Sequence, residues 1–183
     1  AAHAKGISHP GVVQVLDHGA DAGIPWIAYE YVQGRSLREL LDSGRPGLDL
    51  ALLVASQVAE ALEAAHAKGI IHRDVKPENV LESAPDRFKV ADFGIATWPS
   101  ESAVQTRTGI ILGTPAYIAP ELINGAPASP ASDIYALGVL VFELVTGELP
   151  YAGESPFLVF EQHLHGAIPR ASARRSGLPP AID

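Results

Sequence analysis

From Val12 to Leu16, and again from Trp26 to Val32, the chain is dense in β-branched and aromatic residues, while Asp17–Pro25 between them carries Gly19, Gly23 and Pro25. Two such runs around turn formers predict a hairpin. The pattern then changes period. Ser36 and Glu39 stand at the Ser-x-x-Glu spacing of a capping box, in which each side chain satisfies a free N–H at a helix start, so a short helix is predicted from here to Gly44. After Asp49, Val54, Val58, Leu62 and Ala65 recur at helical spacing and make one apolar face, with Gly69 as a left-handed stop. Ile70–Leu81 and Phe88–Ala91 read as short strands around a loop, joined through Ser83-Ala84-Pro85-Asp86. Thr97–Thr114 loses all periodicity and gains Ser, Thr and Gly, which marks a long functional loop. Asp133–Thr146 is apolar on nearly every face, predicting a helix buried all round, and Gly147 ends it. Ser155-Pro156 starts one more helix, to about His165. A strand pair followed mostly by helices is the order of an α+β domain.

Composition narrows this only slightly. The 183 residues fit one domain, and 47% apolar with 19% charged content is enough to build a core. A net charge of −8 with no run of Lys and Arg argues against nucleic acid and anionic membranes as partners. The chain has no Cys, which excludes disulfides, thiolate metal sites and a cysteine nucleophile. It also has no Met, so it is read as a segment of a longer protein. The longest apolar stretch, Ile134–Phe142, is much shorter than the ~20 residues a membrane helix needs, and no signal peptide is visible; a cytoplasmic location is expected for this segment, with a membrane anchor of the parent left open outside it.

The chemistry lies in three linked blocks. His72-Arg73-Asp74-Val75-Lys76-Pro77-Glu78-Asn79 is followed, after a short hairpin pattern, by Ala91-Asp92-Phe93-Gly94, and then by Gly113-Thr114-Pro115-Ala116-Tyr117-Ile118-Ala119-Pro120-Glu121. In this order and spacing they resemble the catalytic loop, the metal-binding Asp-Phe-Gly and the peptide-binding loop with its Ala-Pro-Glu closure of protein kinases. Lys76 in the catalytic loop and Thr114 after Gly113 make the resemblance one to serine/threonine kinases, of the eukaryotic-like bacterial kind. The fold implied is protein-kinase-like: residues 1–32 end the small lobe and form the hinge, and residues 33–183 form an incomplete, mostly helical large lobe.

The resemblance also implies roles. Asp74 would orient the acceptor hydroxyl and take its proton, and Lys76 would offset charge on the transferring phosphoryl group. Asn79 and Asp92 would hold Mg2+, for which Mn2+ could substitute, against the phosphates of ATP. Phe93 would stack beside His72 in an apolar column. Backbone groups of Glu30 and Val32 would bond the adenine, Tyr29 would guard the pocket behind it, and Leu81 would pack beneath the ring. Thr114, Tyr117 and Glu121 belong to the substrate loop. Thr106 and Thr108 would be autophosphorylated, with self-association as one route, and Arg73 would pair with the phosphate. Asp133 reads as a helix cap and, by resemblance, as the carboxylate that holds the catalytic loop. The other histidines, His66 and His163 among them, form no zinc spacing and read as surface residues.

Ser8-His9-Pro10 resembles the stretch that follows the helix bearing the Glu partner of the strand Lys, so that Glu, the Lys and the glycine-rich loop are expected upstream of Ala1, and an Arg partner for Glu121 beyond Asp183. The function expected is ATP-dependent phosphorylation of protein Ser and Thr hydroxyls in bacterial signalling, weak or absent in the isolated segment. The alternatives are a pseudokinase or scaffold that binds partners through the helical lobe, and a small-molecule phosphotransferase.

Overall fold

The computed structural model describes residues 6–93 and 115–183. A hairpin of β1 (Val15–Asp21) and β2 (Ile24–Tyr29) leads into helices α1 (Leu37–Ser43) and α2 (Leu48–His66). A second hairpin, β3 (Val80–Ala84) and β4 (Arg87–Val90), precedes helices α3 (Pro120–Ile123), α4 (Pro130–Thr146), α5 (Pro156–His165) and α6 (Ala171–Arg174). Short 3-10 turns occupy Pro77–Asn79, Pro115–Tyr117 and Pro180–Ile182. Both sheets are two-stranded and antiparallel.

The core forms where α2 packs on α4 and on β4. Val54, Val58, Leu62 and Ala65, the predicted apolar face of α2, are all buried, together with Leu37 of α1 and Leu140 and Leu144 of α4. Each large aliphatic side chain removed from water in this way contributes about 1.5–3 kcal/mol. The N-terminal segment joins the same body through backbone pairing: the Val13 N–H donates to the Val90 carbonyl at 2.9 Å, and the Val90 N–H to the Gly11 carbonyl at 2.8 Å. Gly34 lies hard against β3, where a Cβ would fall 1.6 Å from the Glu82 carbonyl oxygen. No larger residue fits between the first hairpin and α1 at that point.

Several expectations change. The first hairpin has no loop over Asp17–Pro25, because its strands continue to a two-residue turn at Ala22 and Gly23, whose φ values of 48° and 82° suit a type I′ turn. Gly19 and Pro25 read as turn formers but sit in paired strands opposite Trp26 and Ala20, on a ribbon with an open edge that tolerates a missing N–H. Ile70 and Ile71 are not in a strand. Helix α4 starts at Pro130, capped by Ser129 with Ser132 returning the bond, so Asp133 stands inside the first turns rather than at the cap. Nor is α4 buried all round: Ile134 is 52% exposed, and Gly138 and Val141 continue its stripe outward. Helix α5 runs over the predicted residues, with the Ser155 hydroxyl accepting from the Leu158 N–H. The predicted loop Thr97–Thr114 lies outside the described residues. No helix among the described residues is long and apolar enough to cross a membrane.

Candidate active site

The loop after α2 is held from beneath by one carboxylate. Asp133, 1% exposed, accepts the His72 N–H through Oδ2 at 2.8 Å and the Arg73 N–H through Oδ1 at 2.8 Å, and its Oδ2 also takes Nε2–H of His66 at 2.7 Å. His66 is therefore a strut and not the surface histidine its spacing suggested. Its place in the last turn of α2 brings it to Asp133, 67 positions away, a juxtaposition without local signal. Fixed in this way, Arg73 takes a left-handed φ of 73°. For a residue with a Cβ this conformation costs on the order of 1–3 kcal/mol, which the surrounding bonds must hold in place.

Above that floor the predicted catalytic side chains converge. Asp74 is 48% exposed, and its Oδ2 lies 2.8 Å from Lys76 Nζ and 3.0 Å from Asn79 Nδ2. Asn79 donates to the Asp74 carbonyl as well, at 2.8 Å. With the amide nitrogen committed twice to Asp74, the Asn79 amide oxygen is left as the group able to meet a cation, and among the described residues nothing donates to it. The turn Pro77–Asn79 supplies this geometry, with Pro77 in the first position where its missing N–H is no loss.

The Asp92 segment is sewn to the same loop on both sides of Ala91. The Ala91 N–H donates to the Asn79 carbonyl at 2.8 Å, and His72 Nε2–H donates to the Ala91 carbonyl at 2.8 Å. Since His72 Nδ1 accepts the Asp74 N–H at 3.2 Å, the ring is the neutral Nε2–H tautomer. Burial holds its pKa below the usual imidazole value, outweighing the Ala91 carbonyl and nearby carboxylates that favour the proton. Phe93 meets it edge-on, ring centroids 4.6 Å apart. Asp92 itself takes a left-handed φ of 63°, the second such departure at the site. Its oxygen donors and those of Asn79 suit a hard cation. Among the described residues there is no group of three or more His, Asp or Glu that could hold a metal alone. A magnesium ion here would thus draw its remaining ligands from phosphates and water, as this ion commonly does.

At the predicted hinge, the Glu30 N–H is committed to the Gln14 carbonyl at 2.9 Å, and the Val32 carbonyl accepts from the Gly34 N–H at 3.1 Å. The Glu30 carbonyl and the Val32 N–H carry no partner among the described residues, which leaves one acceptor and one donor two positions apart. The Glu30 carboxylate is held through Oε1, which accepts from Lys89 Nζ at 2.6 Å and from the Gln14 N–H at 2.8 Å. Burial would raise its pKa, but these bonds prevail and lower it. Tyr29 has a buried hydroxyl without a hydrogen bond, and its pKa is raised by burial and then by the charge of Asp92. Leu81 is half-buried on β3, paired across the hairpin with Lys89.

In the predicted substrate loop, Tyr117 is buried and donates to Glu143 Oε2 at 2.5 Å, while Glu143 Oε1 accepts from Arg38 Nη1 at 2.7 Å. Burial first, and Glu143 second, push the Tyr117 phenol well above its ordinary pKa, so it stays a donor. Arg38 and Glu143 are residues the motifs did not single out. Glu121 is half-buried at the start of α3 and makes no salt bridge among the described residues. Gly94, Thr106, Thr108 and Thr114 lie outside the described residues.

The protein kinase domain family matches residues 2–176. The serine/threonine-protein kinase PknL of Mycobacterium tuberculosis is 42% identical over 178 residues, 97% of this chain and 44% of that protein. The serine/threonine-protein kinase PrkC of Bacillus subtilis is 38% identical over 184 residues, spanning 100% of this chain and 28% of the relative. PknB of Mycobacterium leprae, also a serine/threonine-protein kinase, is 38% identical over 188 residues, with 100% and 30% covered. The chain thus spans less than half the length of these relatives. With the loop His72–Asn79, the Asp92-Phe93 segment and the stretch Pro115–Glu121 on one body, and a family match over nearly its whole length, the chain belongs to the protein kinase domain family.

Proposed function

We propose that this chain is the catalytic core of a bacterial protein kinase that transfers the γ-phosphoryl group of ATP to Ser and Thr hydroxyls of proteins. Residues 1–32 would form the end of the small lobe and the hinge, and residues 33–183 the large lobe. The observation that carries the reading is the carboxylate of Asp74: it is half exposed, fixed by Lys76 and Asn79, and adjoins the Asp92 segment through the bonds of Ala91. A carboxylate so held can orient an acceptor hydroxyl and take its proton late in transfer. Bound magnesium and ATP would supply the transferable group and neutralise charge on it. Asn79 and Asp92 would hold the metal. The Glu30 carbonyl and Val32 N–H would meet the purine edge, with Leu81 beneath it and Tyr29 behind. Lys76, now on Asp74, is positioned to share itself with a phosphoryl oxygen.

The acceptor peptide would lie against the loop from Thr114 to Glu121, anchored by Tyr117. Thr106 and Thr108 are the proposed autophosphorylation sites, in cis or between two copies, with Arg73 as the phosphate partner. A role in bacterial signalling is part of this proposal, and the relatives named serine/threonine-protein kinases support it. No Gly-x-Gly-x-x-Gly occurs in the 183 residues, so on their own they are expected to transfer phosphate weakly.

The test is Asp74→Asn in the full-length protein, assayed with ATP, Mg2+ and a Ser/Thr peptide. Loss of the general base should lower kcat by about 10²–10⁴-fold. Unchanged transfer in a folded variant would overturn the assignment, and wild-type protein that transfers no phosphate but still binds partners would favour a scaffold.

A further inference from the structure

Gln14 and Glu30 stand one step beyond the Val15–Tyr29 pair, in line with the ladder of the first hairpin. Hydrogen-bonded residues facing each other in an antiparallel ladder exchange both bonds, each N–H going to the other's carbonyl. Here only one of the two is made. The Glu30 N–H donates to the Gln14 carbonyl at 2.9 Å, whereas the Gln14 N–H donates to the side chain of Glu30, 2.8 Å from Oε1. The carboxylate has taken the bond that would otherwise occupy its own carbonyl. That substitution is what leaves the Glu30 carbonyl without a partner among the described residues.

A second strand holds the side chain in this role. Lys89 of β4 brings Nζ to the same Oε1 at 2.6 Å, and the Lys89 and Glu30 side chains are only 20% and 27% exposed. Charges this far out of water are screened less than those on the surface. The strand that carries Lys89 is fixed along both edges. Lys89 lies opposite Leu81 of β3, and on the other side Val90 bonds to Gly11 and Val13. We infer that Lys89 is a positioning residue for the nucleotide, holding the Glu30 carboxylate on the Gln14 N–H so that the Glu30 carbonyl stays open to the purine. This rests on the kinase reading above, in which that carbonyl and the Val32 N–H meet the purine edge. Without Lys89 the carboxylate would turn towards water, and the Gln14 N–H would be left short of an acceptor. The acceptor the ladder offers it is the Glu30 carbonyl, which would then be shared between the strand and the ligand. None of these bonds involves Asp74, Lys76 or Asn79, so the phosphoryl end should keep its geometry.

The experiment uses the full-length protein with ATP, Mg2+ and a Ser/Thr peptide. It measures kcat, KM for ATP, and inhibition by two pieces of the nucleotide, adenosine and inorganic tripolyphosphate, in wild type, Lys89→Met, Lys89→Arg and Glu30→Leu. Lys89→Met should weaken adenosine inhibition and raise the ATP KM by about fivefold, the worth of a hydrogen bond, with kcat and tripolyphosphate inhibition within about twofold of wild type. Lys89→Arg keeps a positive charge on Oε1 and should recover most of that loss, while Glu30→Leu should match Lys89→Met. Wild-type adenosine inhibition and ATP KM in both the Met and Leu variants overturn the inference. So does an equal weakening of adenosine and tripolyphosphate, which would mark a general loosening of the site, or an Arg variant that melts like wild type but recovers nothing. If Lys89→Met fails to fold, Glu30→Leu decides by the same criterion. A wild-type protein that phosphorylates no peptide counts against the kinase reading itself, a result distinguishable from an active wild type with indifferent variants.

Discussion

Asp133 satisfies three donors at once: the N–H groups of His72 and Arg73 and the imidazole of His66. Replacing it with Ala leaves all three facing a cavity at a site 1% exposed. Removing one partner of a buried charged network costs about 3–5 kcal/mol, so Asp133→Ala should lower unfolding free energy by about that much in urea denaturation. Asp133→Asn keeps one oxygen acceptor and should lose less. A loss for the Ala variant below about 1 kcal/mol would mean that water takes over the carboxylate's bonds. The residue's importance was visible in the sequence only through resemblance. Its local reading was a helix cap, and the cap is Ser129 instead, because Pro130 can begin the helix a turn earlier.

Arg38 of α1, Glu143 of α4 and Tyr117 of the 3-10 turn join three elements through one carboxylate. Tyr117→Phe should cost about 1.5–3 kcal/mol, the value of a hydrogen bond to a charged group. In a double-mutant cycle with Arg38→Met, a coupling of about 0.5–3 kcal/mol is expected, and additive losses would show that the two contacts act separately. Such ties between elements were the least legible part of the chain. What depended on neighbours in sequence was readable: the capping box Ser36–Glu39, the α2 face, and α5 from Ser155-Pro156. The meeting of Asp74, Lys76 and Asn79, proposed above as catalytic, was also readable, since one loop carries all three. The turn at Ala22-Gly23 falls inside the predicted stretch Asp17–Pro25, but Gly19 and Pro25, read as turn formers beside Gly23, pair within the strands because the local signal does not say how far the ladder extends. His66, His163, Arg38 and Glu143 were missed because their partners lie 26 to 105 positions away. At Gly34 the constraint is also long-range: Gly34→Ala sets a Cβ against the Glu82 carbonyl, and overpacking of this kind should destabilise by about 1–3 kcal/mol. An alanine variant with wild-type urea midpoint would show that the segment before α1 gives way freely.

For the molecule as a whole, two buried histidines set how stability responds to acid. His72 and His163 both have pKa values lowered by burial, against carbonyls that favour the proton. The unfolded chain therefore binds protons near the ordinary imidazole pKa of about 6.5, while the folded chain refuses them. Stability rises with pH wherever the unfolded state holds more protons, so the contribution is complete above that value and declines as pH falls below it. Each histidine can add a slope of up to about 1.4 kcal/mol per pH unit in that interval. The carboxylate of Glu30 acts lower. Its folded pKa is depressed on balance by Lys89 and the Gln14 N–H, so its contribution is present above the usual carboxylate range and lost as pH falls through the folded value. Urea unfolding between pH 8 and pH 3 should thus show a plateau, a first decline beginning near pH 6.5 and a second below about pH 4.5. His163→Gln cannot take up the proton and should make the first decline shallower without moving the second. If the Gln variant keeps the wild-type slope between pH 6.5 and pH 5, His163 does not hold its imidazole neutral in the folded state.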